Sequence, residues 1–173
     1  MTKRCLKHVL SLCSVLTAVA MLAPAHGHAG TGSRGPFLGL SGQWSGAGTV
    51  SMADGSTERL RCKSANAVSA NGRAIEQNLR CASDRFRLDI TSDVSAKGGW
   101  LSGSWAEKSR GVWGNVSGRA SGSAILAHVA GNGFAARMIV RTKGDREAVA
   151  MRSFTLRPHH GTDIASVSVA LHK

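Results

Sequence analysis

The chain has 173 residues, of which 22 are Lys or Arg and 10 are Asp or Glu, giving a formal net charge of +12. Its 42% hydrophobic content is enough to bury a core and excludes a purely disordered polymer, while the basic excess favours acidic partners over basic ones. Gly is abundant and Tyr is absent, which excludes any ligand site built from phenols.

Met1 to Ala29 reads as an export leader. Lys3, Arg4 and Lys7 form its basic start, Val9 to Ala23 its apolar run, and Ala23-Pro24-Ala25 its small-residue cut site, with Gly27-His28-Ala29 as a later one. The run is short for a membrane span of about 20 residues. The expected organisation is a signal peptide over 1–25 (the cut as late as 29), a flexible Gly/Ser-rich arm over 26–36, and one domain over 37–173. Export places the mature chain in the periplasm or outside the cell, where disulfides persist. It also removes Cys5 and Cys13 and leaves Cys62 and Cys81 as an even pair. A cut after Ala25 would expose His26-Gly27-His28, an amine with histidine third, which is a square-planar donor set for Cu(II) or Ni(II). The plain alternative is an ordinary mobile terminus.

From Phe37 onward the pattern is β. Ser41-Gly42-Gln43-Trp44 opens the first strand, and Ala53-Asp54-Gly55-Ser56 turns the chain into a hairpin running from Thr57 to about Ile90. Asn71-Gly72 is the pair favoured in two-residue type I′ turns. That turn opposes Cys62 to Cys81 and Val68 to Ile75, at about 5.5 Å between Cα atoms for a hydrogen-bonded pair, and so predicts a cross-strand disulfide. Two buried thiols are the alternative. A Ser83-Asp84 turn would then oppose Cys81 to Phe86 and Leu79 to Leu88. Lys97-Gly98 would set Val94 against Leu101 and Ile90 against Trp105. Asn132-Gly133 opposes Ala127 to Met138, Gly144-Asp145 opposes Val140 to Val149, and Ile164 to His172 alternates to the end. The fold class is therefore all-β, an antiparallel meander of about eight to ten strands with one disulfide. A soluble up-and-down barrel is the expected closure, with a two-sheet sandwich as the alternative. Charges on the outward parity would each cost about 2–4 kcal/mol against lipid at mid-bilayer, so the barrel is expected in water.

Three candidate sites follow. The first is a basic face of Arg59, Arg61, Lys63, Arg80, Arg85 and Arg87, in which Lys63, Arg80 and Arg87 would line up across three strands. Like charges set opposite one another destabilise a sheet, so a counter-anion is the functional reading and a solvated face the bland one. Its partner would be an acidic envelope component: a lipid head group, lipopolysaccharide or acidic polysaccharide. Nucleic acid is disfavoured because aromatic interleaving is missing. The second is the barrel interior, where Trp44, Phe86, Trp105, Phe134, Met138 and Met151 would line a cavity for a small apolar ligand or pack as core. Trp100 falls on the outward parity, and Trp113 falls in a glycine-rich connection. The third is a loop with His159, His160 and Asp163, part of a metal set that lacks further ligands.

No catalytic motif is legible and no cofactor is implied: there is no nucleophile elbow, zinc-protease helix or phosphate-cradling glycine loop. Glu107 and Asp163 stand as lone carboxylates. At Glu58-Arg59-Leu60-Arg61-Cys62 and Leu79-Arg80-Cys81-Ala82-Ser83-Asp84 the chain resembles small exported bacterial β-proteins of unknown function, a resemblance that implies export and a β fold but no activity. The Ser-Gly-x-Trp fragments at 41–44 and 102–105 resemble avidin-like barrels, whose tyrosine-rich site cannot exist here. The expected role is non-enzymatic binding of an acidic envelope component. The alternatives are an apolar ligand carrier and a small envelope hydrolase or metal-binding protein.

Overall fold

The computed structural model describes residues 34–85, 87–131, 133–154 and 164–173. Outside the described residues lie the leader, His26 and His28, Phe86, Asn132, and the segment with His159, His160 and Asp163.

A 3-10 turn, Leu38–Leu40, precedes ten strands. These are β1 (Gly42–Met52), β2 (Thr57–Val68), β3 (Ala74–Ala82), β4 (Arg87–Lys97), β5 (Trp100–Glu107), β6 (Val112–Ser121), β7 (Ala124–Gly131), β8 (Phe134–Lys143), β9 (Arg146–Ser153) and β10 (Ile164–His172). Every strand pairs antiparallel with its neighbour in sequence, and β10 pairs with β1, so the meander closes into a barrel. Closure leaves no edge strand to template aggregation and settles barrel against sandwich. Trp113 lies within β6, opposite Ala106, and not in a connection.

Alternation explains which residues point inward. On β2, Leu60, Cys62, Ser64 and Asn66 are buried, while Arg59, Arg61 and Lys63 between them are exposed. A strand whose side chains alternate in this way has only one face to offer a core.

The cysteines pair as the alternation implies: Cys62 lies opposite Cys81, the disulfide is formed, and their Cα atoms are 4.1 Å apart. The turn that sets this register differs from the expected one. Gly72 N donates to Ser69 O, and Ser69 N to Ala74 O, so four residues (70–73) connect the strands. The longer loop keeps the register but inverts the alternation of hydrogen-bonded pairs. Cys62 and Cys81 thus occupy a non-hydrogen-bonded pair, whose side chains lie closer together.

Two other registers slip by two residues. Cys81 faces Leu88 and Leu79 faces Ile90, because Ala82 pairs with Arg87 and not with Arg85 as a tight Ser83-Asp84 turn would require. Likewise Val94 faces Gly103 and Trp105 faces Ser92, since the next turn sits on Gly98-Gly99, both at positive φ (58° and 81°). The pairs Ala127/Met138 and Val140/Val149 stand as expected.

One end of the barrel is closed. The Leu38–Leu40 turn contacts β2 on one side and β8 on the other, and buries Phe37 and Leu40 among Ile75, Val94, Ile125 and Val140. The segment entering it is pinned to the β2–β3 turn: Gly35 N donates to Asn71 O (2.8 Å) and Phe37 N to Gly72 O (3.1 Å). A Cβ on Gly35 would stand 2.1 Å from Gly72 O, so this approach needs glycine. Of the segment expected as an arm, the described residues 34–36 therefore include one hydrogen-bonded to the barrel.

Among the described residues no helix is long and apolar enough to cross a membrane.

Candidate functional site

The interior divides in two. Around the disulfide, Trp44, Val50, Leu60, Val169 and Leu171 fill one side completely, with Val50 and Leu60 fully buried. The tryptophan is held by its indole, which donates from Nε1 to Leu40 O at 2.8 Å. Trp44 is thus packed core and does not line the cavity expected of it.

The other side is underfilled. Along β5, β6 and β7 the inward side chains on this side are Leu101, Val116, Ile125, Ala127 and Val129, which line the space without filling it. Interiors normally pack to crystal-like density, so a gap of this size is a feature of the sequence, not slack. The result is a chamber of about 420 Å³, within the range of small-molecule sites. Its wall runs from Phe37 and Leu40 at the closed end to Arg110, Phe134 and Ile164 at the other.

Of the six interior residues read from the sequence, Trp105, Phe134, Met138 and Met151 line this chamber. Trp105 and Phe134 meet edge to face, with centroids 5.8 Å apart and planes at 63°. Phe86 lies outside the described residues.

Two polar atoms in this wall are buried with no hydrogen-bond partner among the described residues: Trp105 Nε1 and Glu147 Oε2. Glu147 is 4% exposed and sits at the start of β9, flanked across the ladders by Thr142 and Leu171. Burial pushes its carboxyl up to about 6. A buried polar group without a partner costs about 1–3 kcal/mol, so native chains rarely keep one without a use. Sequence reading missed Glu147, although the signal was present. It shares the parity of Val149 and Met151, which the Gly144-Asp145 turn already turns inward.

Glu107, at the other end, is the contrasting carboxylate. It is also 4% exposed, but its oxygens accept from the backbone of Asp89 (3.0 Å), Ser109 (3.2 Å) and Arg110 (2.9 Å), with Arg110 Nη1 at 3.4 Å. Burial alone would raise its pKa, but these hydrogen bonds together bring it below the ordinary value. Glu107 therefore fastens the 108–111 connection to β4 and has no spare lone pair to act as a base.

The basic residues spread over two rows of the outward face. Lys63 faces Arg80 directly, but the next residue in that row is Asp89, not Arg87. Arg80 Nε lies 3.5 Å from Asp89 Oδ2. The expected line of three cations is broken by the two-residue slip of β4. Arg61 and Arg87 form the neighbouring row, on either side of Ala82. Arg85 pairs with Glu58 at 2.8 Å, and Glu58 also accepts from Ser83 Oγ. The outward tryptophans are exposed as parity requires for Trp100 (60%), over which Arg119 stacks at 4.1 Å, and so is Trp113 (65%). Among the described residues no cluster of three or more His, Cys, Asp or Glu side chains is placed to hold a metal.

No family model matches the chain, and no curated protein matches it significantly. Solved structures do. Rv2717c from M. tuberculosis superposes with a TM-score of 0.62 at 13% identity, over 79% of this chain and 93% of that one. The S-type phycobiliprotein lyase CPES from Guillardia theta gives 0.56 at 11% identity, over 78% and 88%. The likeness is one of fold. It extends to nearly the whole length of both neighbours and so to the barrel as a unit, not to a shared sheet fragment.

Proposed function

We propose that the protein is a carrier or sensor of a small, largely apolar ligand held in the barrel interior. The observation that supports it is the chamber itself: about 420 Å³, walled by aliphatic, aromatic and methionine side chains, with two buried polar atoms unpaired in that wall. Small-molecule sites take this form, mostly apolar with a few oriented polar groups. One structural neighbour is named as a phycobiliprotein lyase, and the use of such a barrel for a small molecule is consistent with that name. The residues bear on catalysis in one respect: Glu107 is saturated and Glu147 has no second titratable group on its ladder partners.

The test is native mass spectrometry of the protein isolated from its own host, followed by calorimetric titration with short-chain amphiphiles. A bound apolar mass or saturable binding is expected, and Ala127→Phe, which fills the chamber wall, should abolish it. Binding unchanged by Ala127→Phe would locate the ligand elsewhere and end this reading.

A second reading is binding of an acidic envelope component on the outward face of β2 and β3. It is supported by the exposed, directly opposed pair Lys63 and Arg80, with Arg59 and Arg61 alongside. Salt-dependent retention on heparin or lipopolysaccharide tests it.

A further inference from the structure

We propose that the chamber selects its ligand by head group: an alcohol or amine at the end of a short apolar chain donates to Glu147 Oε2, and carboxylate-headed chains are excluded. This rests on the chamber being a ligand site. It adds which chemistry the site accepts and which end of the ligand goes in first.

The argument begins with what Glu147 lacks. Its neighbours across the two ladders are Thr142 on β8 and Leu171 on β10, and neither gives Oε2 a partner. The other charged groups in the chamber wall, Glu107 and Arg110, stand at the opposite end and are bonded to each other and to the 108–111 connection. No cation of the described protein therefore neutralises Glu147. A carboxylate in this position is an acceptor waiting for an N–H or O–H, and hydrogen bonds to a charged acceptor are about twice as strong as neutral ones. A second carboxylate brought beside it would be repelled in a poorly solvated space, where charges interact more strongly than in water.

The position of Glu147 sets the direction. Its strand begins at the end that the Leu38–Leu40 turn closes, so the head group lies deep and the apolar chain points toward Met138, Met151 and Phe134. Trp105 Nε1, the other unpaired group, lies further along the wall and provides a donor for an acceptor atom on the chain. Taking about 30 Å³ for a water-sized group, the chamber holds about a dozen non-hydrogen atoms. Decanol, decylamine and decanoate match that size and differ only in the head.

The experiment is calorimetric titration of the full chain at pH 8 with these three probes and with decane, on the wild type, Glu147→Gln and Glu147→Leu. Near-ultraviolet circular dichroism on each variant verifies its fold. Decanol and decylamine should bind at least about tenfold more tightly than decanoate, a difference of about 1.4 kcal/mol. Glu147→Gln, which keeps the shape and a neutral acceptor, should keep decanol and lose the advantage of decylamine. Glu147→Leu should abolish the preference for decylamine over decanoate. If the three heads bind the wild type equally, or the preference for decylamine over decanoate survives Glu147→Leu, the head-group inference is wrong while the chamber remains a ligand site. If neither decane nor any headed chain binds, the ligand-site reading itself fails and takes this inference with it.

Discussion

Trp44 and Asn66 donate to the same backbone oxygen, that of Leu40, from Nε1 at 2.8 Å and Nδ2 at 2.9 Å. Asn66 in turn accepts from Ser64 Oγ at 2.7 Å, so a buried chain of side chains ties β1 and β2 to the turn that closes the barrel. Asn66→Ala removes one donor to Leu40 and strands the Ser64 hydroxyl. A loss of about 1–3 kcal/mol is expected in urea unfolding. Because the anchor of the closing turn is lost as well, the Leu40 amide, bonded to Phe37 O, should exchange with solvent hydrogen faster than amides of β3 and β4. Equal protection at all these amides would show that apolar packing alone holds the turn.

The disulfide joins neighbouring strands 19 residues apart and lies inside the Trp44 cluster. In the chain-entropy model a loop of this length contributes about 3 kcal/mol through the unfolded state. Replacing Cys62 and Cys81 together by Ala should lower stability by about that amount. It should also make unfolding insensitive to added dithiothreitol, which should otherwise reproduce the loss in the wild type. A double variant as stable as the oxidised wild type would show that the bond adds nothing to stability beyond what the packing around it supplies.

Alternation reads which face of a strand is buried far better than it reads which residue lies opposite. A slip of two residues leaves every side chain on its own face, so Leu79 opposite Leu88 and Leu79 opposite Ile90 look equally good in sequence. Only the turn separates them, and the tight Ser83-Asp84 reading loses to a connection that pairs Ala82 with Arg87. The glycine pair does the same at Gly98-Gly99, where two consecutive positive-φ positions outcompete Lys97-Gly98. The Cys62–Cys81 register was legible because the cysteines and the Val68/Ile75 pair agree on it. The chamber was half legible. Trp105, Phe134, Met138 and Met151 follow from parity, but Trp44 does too, and parity carries no information on which inward residues pack and which leave space. That depends on which inward side chains the registers bring together across neighbouring strands, a relation between registers and not within one segment.

Those registers change what the basic face should do. Lys63 faces Arg80, a like-charged pair, and the exposed Arg80–Asp89 contact at 3.5 Å offsets little of the repulsion. Lys63→Glu would convert the opposition into an attraction and should stabilise the barrel by about 0.2–1 kcal/mol at low salt, with the gain shrinking as salt is added. If the face binds polyanions, Arg61→Gln, Lys63→Gln and Arg80→Gln combined should elute from heparin at clearly lower salt. Elution of that triple variant at the wild-type position would leave the face as a solvated surface.

Glu147 should make stability fall as pH rises from about 4.5 through about 6. Its carboxyl is held up to about 6 when folded and lies near 4.5 in the open chain, so the folded state binds the proton more tightly. Stability from this group is fully present below about 4.5 and is lost as pH climbs through about 6, by about 2 kcal/mol in all. Glu107 works in the opposite direction. Its pKa is depressed in the fold, so its contribution is present above the ordinary carboxylate range and is lost as acid protonates it. Unfolding of the wild type alone would mix the two. The difference between Glu147→Gln and the wild type isolates Glu147, and in urea titrations it should move toward the variant by about 2 kcal/mol between pH 4.5 and 7.5. Parallel curves over that range would mean that the carboxylate is solvated at all pH values, and a solvated Glu147 could not discriminate among head groups.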